Sequence, residues 1–323
     1  MNINSSKKTK KESLFKGLGY GLVTVFCWGA LNVSTHNALQ NGFLPNDLTM
    51  LRYCAAGIIC LPFAIINYRK VAKLSLWLRS TVFALIAGPL YGWLVNKGMQ
   101  LTPLSYASVM VPTFTMLITM LLLSKMGEKV SKAQVFGTLV IILGLYSLIN
   151  GASSNEFQSN IGATAFLLAG LTWSSFTILL KKWNIELVST IVVMNIVSCV
   201  IYFPVYITNA SSGFSSLPFG YWVEQVLVQS VIASVVVVFT FANAVKYLGA
   251  NLASTLPSLI PLVSISIAIL LFEQSITIGE KLALGVISVG FAICTLNKNK
   301  QRKRKILLSK VAFRRNPPRK TDR

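Results

Sequence analysis

Long apolar stretches recur along the chain and are separated by short polar or charged segments. Each stretch is continuously apolar and does not alternate between apolar and polar positions, which is the pattern of a helix in lipid and not of a barrel strand. The stretches are close to the ~20 residues that an α-helix needs to cross a bilayer. The pattern predicts an all-α polytopic membrane protein with ten transmembrane helices, at about 17–36, 47–67, 79–98, 104–124, 133–150, 161–180, 187–208, 222–245, 251–272 and 279–296.

The second half of the chain repeats the first. Leu101–Gly144 recurs as Tyr247–Gly290, and both copies contain an apolar segment with a central proline, then a Glu, a short polar link and a second apolar segment. The matched residues lie 145 positions apart in each case: Pro112 and Pro257, Glu128 and Glu273, Trp28 and Trp173, Asn32 and Thr177.

Each repeat holds five helices, which is an odd number, so the second repeat enters the membrane from the opposite side to the first. Many secondary transporters use such inverted repeats, with the substrate near the midplane between them. The N-terminal tail is polar and is predicted to be disordered. The predicted organisation is a basic tail at 1–16, a first repeat at 17–150, an outer linker at 151–160, a second repeat at 161–296 and a basic tail at 297–323.

The charged residues predict which side of the membrane is cytoplasmic. Of the 30 Lys and Arg residues, 27 fall in tails and loops that share one side if ten helices alternate. By the positive-inside rule that side is cytoplasmic, and both termini lie there. With 54% hydrophobic and 12% charged residues, the chain is not a soluble domain. Its net charge of +21 therefore indicates topology, and contact of the tails with anionic lipid is favoured over nucleic-acid binding.

Three sequence features resemble a known family. They are the run GPLYGWLVNKGMQLTPLSYASVMVP from Gly88 to Pro112, the segment PNDLTMLR from Pro45 to Arg52, and the repeated Pro…Glu…Gly pattern. Together they resemble the EamA-type members of the drug/metabolite transporter superfamily, over nearly all of 17–296. The second repeat departs from the first in having no match to Arg52, because the equivalent region reads VVMNIVSCV.

The resemblance implies a ten-helix carrier in a bacterial cytoplasmic (inner) membrane, where many members export amino acids or other small metabolites. It also implies a central cavity lined chiefly by the first, third, fourth, sixth, eighth and ninth helices.

Polar residues inside the predicted helices are the candidates for a substrate site, because they are costly in lipid and usually face the protein interior. On the first helix, Thr24, Trp28, Asn32 and His36 follow at four-residue steps and share one face. Hydrogen bonding between helices is the alternative explanation. The predicted cavity residues are Trp28, Asn32, Tyr91, Asn96, Trp173, Thr177, Asn243 and Ser258.

Three residues near the predicted outer ends of helices carry or can acquire positive charge. Arg52 and Lys97 either reach towards the headgroups, with Asp47 beside Arg52, or form a cationic outer mouth for a carboxylate. His36 is interpreted as a solvated loop residue at the same mouth, with a proton-linked role as the alternative. Prolines within helices, such as Pro89, are expected to break them as transporter sites do.

No catalytic residue, cofactor or metal site is predicted. The single histidine excludes a multi-histidine metal site, no carboxylate pair lies within the predicted helices, and no GxxxxGK[ST] motif is present. The five cysteines lack CxxC spacing and resemble small buried residues. The favoured function is a secondary carrier with a small-molecule substrate, an amino acid or related compound, moved outwards by alternating access. A membrane sensor or assembly subunit is the alternative, and the pattern leaves open whether the chain forms a homodimer.

Overall fold

The computed structural model describes residues 3–127, 130–150, 156–183, 185–209, 217–272, 277–279, 281–290 and 292–294. Glu128, Glu273, residues 151–155 of the outer linker and the C-terminal tail lie outside them. Every regular element in the described part is helical. The helices are α1 (Ile3–Gln40), α2 (Pro45–Ile66), α3 (Leu74–Leu101), α4 (Leu104–Lys125), α5 (Lys132–Asn150), α6 (Glu156–Lys182), α7 (Leu187–Asn209), α8 (Phe219–Leu248), α9 (Ile260–Phe272) and α10 (Lys281–Cys294).

Seven of these helices are long and apolar enough to cross a membrane: α1, α2, α3, α4, α6, α7 and α8. The other apolar helices are shorter: α9, α10 and the part of α5 that counts towards a span, Lys132–Ser147. Large apolar side chains on the bundle surface are well exposed, for example Ile66 at 79% and Leu270 at 79%. Such a surface suits contact with lipid acyl chains, because an apolar surface this large is rare on soluble monomers.

α1 begins at Ile3 and takes in the basic N-terminal tail. The prediction that this tail is disordered is therefore wrong. Lys and Glu are good helix formers, and a tail that extends an already formed helix avoids the cost of nucleating a new one.

Several helices are irregular in the middle. Gly88 divides α3 into Leu74–Ala87 and Pro89–Leu101. α4, in contrast, continues through Pro112. Before α9, a short helix at Ala250–Ala253 and a 3₁₀ turn at Leu256–Leu259 replace the continuous helix predicted there. Pro257 and Pro261 lack a backbone N–H and therefore cannot donate helix hydrogen bonds, which explains the break.

α2 and α8 each contain π-helical turns, at Leu51–Ala55 and Val226–Val237. The two π segments pack against each other. Ser230 Oγ donates to the carbonyl oxygen of Leu51 (2.6 Å), and Ser234 Oγ donates to that of Arg52 (2.5 Å). π-helical turns are frequent at functional sites, and these two bring a cationic residue to the centre of the bundle.

Residues at equivalent positions of the two sequence halves meet inside the bundle. The rings of Trp28 and Trp173 lie 5.1 Å apart. Cys54 Sγ lies 4.0 Å from the carbonyl oxygen of Cys199, again 145 residues away. α5 and α10 also approach closely, since a Cβ on Gly137 would lie 2.6 Å from the carbonyl oxygen of Gly290.

Candidate functional site

A cavity lies at the centre of the bundle. It is lined by residues of α1, α2, α3, α4 and α6, of the turn that leads into α9 and of the first turn of α9. Its free volume, measured as the space open to the centre of a water molecule, is about 20 Å³. That is roughly enough for one water molecule. The cavity therefore has little free space in this conformation. Its aromatic and polar lining residues are Trp28, Asn32, Thr35, Arg52, Tyr91, Asn96, Thr115 and Trp173.

Aromatic rings form one wall of the cavity. The Trp173 ring lies 4.6 Å from that of Tyr91 and 5.1 Å from that of Trp28. Phe241 of α8 packs behind the two tryptophans, at 5.9 Å from Trp28 and 5.5 Å from Trp173. These separations are typical of favourable aromatic pairs, so the wall is rigid and presents flat apolar faces.

The break in α3 positions the wall that carries Tyr91 and Asn96. At Gly88 a Cβ would lie 2.0 Å from the carbonyl oxygen of Ala84, so no other residue fits without a shift of the backbone. The hydroxyl of Tyr53 donates to the carbonyl oxygen of Ala87 (3.3 Å) at the break. In lipid a carbonyl released from a helix needs such a partner, and α2 supplies it.

Two asparagines line the cavity in different ways. Asn96 Nδ2 donates to Thr49 Oγ1 (3.1 Å), which fixes the orientation of that amide. Asn32 is 7% exposed and forms no hydrogen bond with any residue that the structure describes. Its amide is therefore available to a molecule in the cavity.

Arg52 lies inside the protein and not at a mouth. It is 3% exposed, and its guanidinium carbon lies 5.5 Å from the ring centroids of both Tyr53 and Tyr91. The alternative in which Asp47 helps Arg52 reach the headgroups is wrong. The two oxygens of Asp47 instead accept hydrogen bonds from the backbone N–H of Leu44 (3.0 Å) and the hydroxyl of Tyr206 (2.9 Å).

Three polar atoms of cavity-lining residues have no hydrogen-bond partner among the described residues. They are Nε of Arg52, Nε1 of Trp173 and Oγ1 of Thr115. Two of the three are N–H donors without acceptor capacity. Buried polar atoms in proteins are usually paired, so the lining is better suited to a ligand that accepts hydrogen bonds than to one that donates them.

The structure brings together five of the predicted cavity residues, Trp28, Asn32, Tyr91, Asn96 and Trp173, and adds Arg52. Pro257 lines the cavity from the 3₁₀ turn that also holds Ser258, whose side chain lies outside the described ones. The second helix thus contributes to the lining, whereas α8, expected from the family resemblance, does not.

The other predicted residues point elsewhere. Thr177 Oγ1 donates to the carbonyl oxygen of Trp173 (2.8 Å), and Asn243 Nδ2 donates to that of Phe239 (2.9 Å), so both bond to their own helix. Lys97 Nζ donates to Gln100 Oε1 (2.8 Å). His36 is 8% exposed, so the interpretation as a solvated residue is wrong.

Sequence reasoning missed Thr35 and Thr115, which line the cavity. Thr115 could have been found, because it lies three residues after Pro112 and therefore on the same face of α4. Thr35 lies next to the face of α1 that carries Trp28 and Asn32. It lines the cavity because the cavity contacts more than that one face of the helix.

A second, larger opening lies between the ends of α6 and α8, with about 440 Å³ of space by the same measure. Lys181 and Lys246 line it together with Trp183. The ring of Trp183 in turn lies 5.8 Å from the guanidinium carbon of Arg79. This opening is at the end of the bundle that the charge pattern predicts to be cytoplasmic. Within the described residues, no group of His, Cys, Asp and Glu side chains could hold a metal ion.

Comparison with known proteins gives relatives over most of the chain. A 317-residue alignment with one WAT1-related protein of Arabidopsis thaliana is 26% identical and covers 84% of this chain and 79% of that protein. A second WAT1-related protein of the same plant is 27% identical over 190 residues, which is 50% of this chain and 48% of the relative.

A solved crystal structure has a similar fold. At 16% sequence identity it superimposes with a TM-score of 0.63 over 87% of this chain and 96% of its own. A likeness at this identity concerns the fold alone.

The profile of the EamA-like transporter family matches the chain twice, at residues 15–150 and 160–296. The two matches cover both sequence halves, including every residue that lines the central cavity. The chain therefore belongs to the EamA-like transporter family.

Proposed function

We propose that this protein is a secondary transporter that exports a small metabolite, an amino acid or related compound, across a bacterial cytoplasmic membrane by alternating access. Membership of the EamA-like transporter family supports movement of a small solute. An enzymatic role is disfavoured because no Asp, Glu, His or Cys side chain belongs to the described lining of the cavity.

The proposed architecture is ten membrane spans in two inverted repeats, with both termini in the cytoplasm. The two family matches, one in each half, support it. So do the contacts between Trp28 and Trp173 and between Cys54 and Cys199. Inverted repeats are related by a pseudo-twofold axis in the membrane plane, and residues close to such an axis contact their own counterparts.

The observation that carries the proposal is the position of the cavity. It lies between the two halves, with Trp28 of the first and Trp173 of the second in one wall. A carrier of this design binds substrate at the repeat interface and closes around it. A central cavity with little free space fits a conformation in which the two halves lie close together around the site.

Transport by the purified protein in liposomes tests the proposal. We expect saturable, substrate-dependent flux for at least one compound in a panel of amino acids, amines and nucleosides. Trp28→Ala is expected to abolish this flux. Leu121→Ala is the control, because Leu121 is 58% exposed on the lipid-facing surface.

Two outcomes would contradict the proposal. Equal loss of flux in both variants would mean that Trp28 acts through packing and not through the site. A compound that stabilises the protein against heat but is not transported would indicate the sensor or assembly subunit.

A further inference from the structure

We infer that Arg52 binds the carboxylate of the substrate, and that the site recognises this carboxylate and not an ammonium group. The inference rests on the proposed transport function. It names the chemical group by which the cavity selects its substrate and the residue that carries the selection.

Arg52 has no counter-ion among the residues that the structure describes. An arginine side chain stays protonated in proteins, and a buried ion is costly unless it is paired. The remaining described carboxylates near helix ends are engaged elsewhere. Glu186 accepts a hydrogen bond from the backbone N–H of Ser189 (2.8 Å), and the exposed Glu224 accepts one from Ser34 (3.0 Å). Neither forms an ion pair with Arg52.

The contacts that Arg52 does have do not neutralise its charge. The rings of Tyr53 and Tyr91 attract the guanidinium, each at 5.5 Å, but this attraction is weaker than the cost of burying an unpaired ion. Nε has no hydrogen-bond acceptor among the described residues. An ionisable residue left in this condition inside a membrane protein marks a functional site, and its partner is then the ligand.

The backbone of Arg52 is held in place by dedicated contacts. Ser230 and Ser234 of α8 donate to the carbonyl oxygens of Leu51 and Arg52 within the π-helical turn. These hydroxyls satisfy carbonyls of the π-helical turn, so the turn is stable at this depth. A functional cation needs such a fixed position, because a guanidinium binds a carboxylate through a planar, two-point geometry.

The rest of the lining agrees with a carboxylate that carries an apolar body. Tyr91, Trp173 and Trp28 form an aromatic wall that begins beside the guanidinium. No described lining residue is acidic, so a substrate ammonium would meet only neutral oxygens, such as that of Asn32. Arg52 has Val197 at the equivalent position of the second half, so the charge is on one side of the cavity and orients the substrate.

Binding measurements on the purified full-length protein in lipid nanodiscs test this inference. The probes share one body and differ in charge: L-phenylalanine, 3-phenylpropionate, 3-phenylpropanamide and 2-phenylethylamine. We expect 3-phenylpropionate to bind at least as tightly as L-phenylalanine. The amide and the amine are expected to bind at least tenfold more weakly, because neither can pair with the guanidinium.

Substitutions of Arg52 identify the residue responsible. Arg52→Gln is expected to weaken binding of the propionate at least tenfold and to leave the amide nearly unchanged. Arg52→Lys keeps the charge without the two-point geometry and is expected to give intermediate binding. Lys97→Gln is the matched control: it removes a positive charge from α3 outside the cavity lining and should leave the preference for the carboxylate intact.

Thermal unfolding separates recognition from structure. Arg52→Gln removes an unpaired buried charge and is expected to keep or raise the melting temperature. If it fails to fold, the comparison of Arg52→Lys with the wild type decides: a structural role would weaken binding of all four probes alike, whereas loss of the two-point geometry weakens only the two carboxylate probes.

The inference is overturned if the wild type binds the amide as tightly as the propionate, if no carboxylate probe binds, or if Arg52→Gln keeps the preference. Charge-selective binding without flux would contradict the transport function and leave this inference standing. Flux that does not depend on a carboxylate in the substrate would contradict this inference and leave the transport function standing.

Discussion

Trp28 and Trp173 occupy equivalent positions 145 residues apart in the sequence, and their rings lie 5.1 Å apart in the centre of the bundle. The pair joins α1 of the first half to α6 of the second and forms part of the cavity wall. A carrier that alternates between two open states by moving one half against the other has to change this contact. The residues around the pair are therefore the best place to test function.

Asn32→Leu is expected to reduce flux at least tenfold without loss of stability. Asn32 has no hydrogen bond to a described residue, so leucine costs no protein contact and removes only the amide that faces the cavity. Flux in liposomes and the melting temperature are the measurements.

The matched control for Asn32→Leu is Asn243→Leu. Asn243 is also buried, but its amide donates to the carbonyl oxygen of Phe239 in its own helix (2.9 Å). Its replacement is expected to change flux by no more than about twofold, because the lost hydrogen bond contributes only modestly to the stability of α8 and does not face the cavity. The reverse order of effects would place the site on α8.

Gly88→Ala is expected to destabilise the protein. The new methyl group would lie 2.0 Å from the carbonyl oxygen of Ala84, so the backbone at the α3 break has to move, with a cost of about 1–3 kcal/mol. Thermal unfolding followed by size-exclusion chromatography measures the loss. Gly220→Ala serves as the comparison, since nothing lies within 4 Å of a Cβ there. Equal melting temperatures for the two variants would show that the break in α3 tolerates a side chain.

Ser234→Ala is expected to weaken carboxylate binding indirectly. The hydroxyl of Ser234 donates to the carbonyl oxygen of Arg52, and its loss leaves a buried acceptor unpaired at a cost of about 1–3 kcal/mol. We expect a lower melting temperature and weaker binding of 3-phenylpropionate, with the order of the four probes retained. Ser266→Ala should change neither, because Ser266 is exposed and donates within α9 to Leu262 (2.7 Å).

Cysteine labelling tests the orientation of the chain. In a variant whose five native cysteines are replaced by alanine, we expect Ser154→Cys and Ser212→Cys to react with an impermeant reagent applied to intact cells. Met126→Cys, at a position 58% exposed between α4 and α5, should react only after the cells are opened. Reaction of Met126→Cys in intact cells would reverse the topology.

Ser131, which also lies between α4 and α5, is not a suitable inner position for this test. Ser131 is 8% exposed and caps α5, where its hydroxyl accepts from the N–H of Gln134 (3.1 Å) and the Gln134 side chain accepts from the N–H of Ser131 (3.1 Å). A cysteine there would fail to react for structural reasons.

Helix positions could largely be predicted from the sequence, because an apolar stretch long enough to cross a bilayer as a helix is visible in the hydropathy. The break before α9 could be placed only approximately. Proline is visible in sequence, but whether the helix bends or breaks depends on the neighbours that satisfy the released carbonyls. α4 shows the difference, since it carries Pro112 and stays continuous.

The aromatic wall was predictable and the cation was not. Trp28 and Trp173 could be identified because they occupy equivalent positions of the two repeats. The side on which the Arg52 side chain leaves α2 depends on a π-helical turn, and no sequence pattern predicts that turn. Thr177 and Asn243, predicted as cavity residues, are not part of the lining of the central cavity in this conformation. Threonine and asparagine in helices often bond to the carbonyl four residues earlier, and both do so here.

The small volume of the central cavity has a consequence for the energy balance of the cell. About 20 Å³ of space cannot hold a continuous file of water molecules across the membrane. In this conformation the cavity beside the two tryptophans is too small for a column of water. A membrane can therefore hold many copies of such a carrier in this conformation with little leak of ions through the cavity, and the pathway widens only when a molecule large enough to separate the halves enters it.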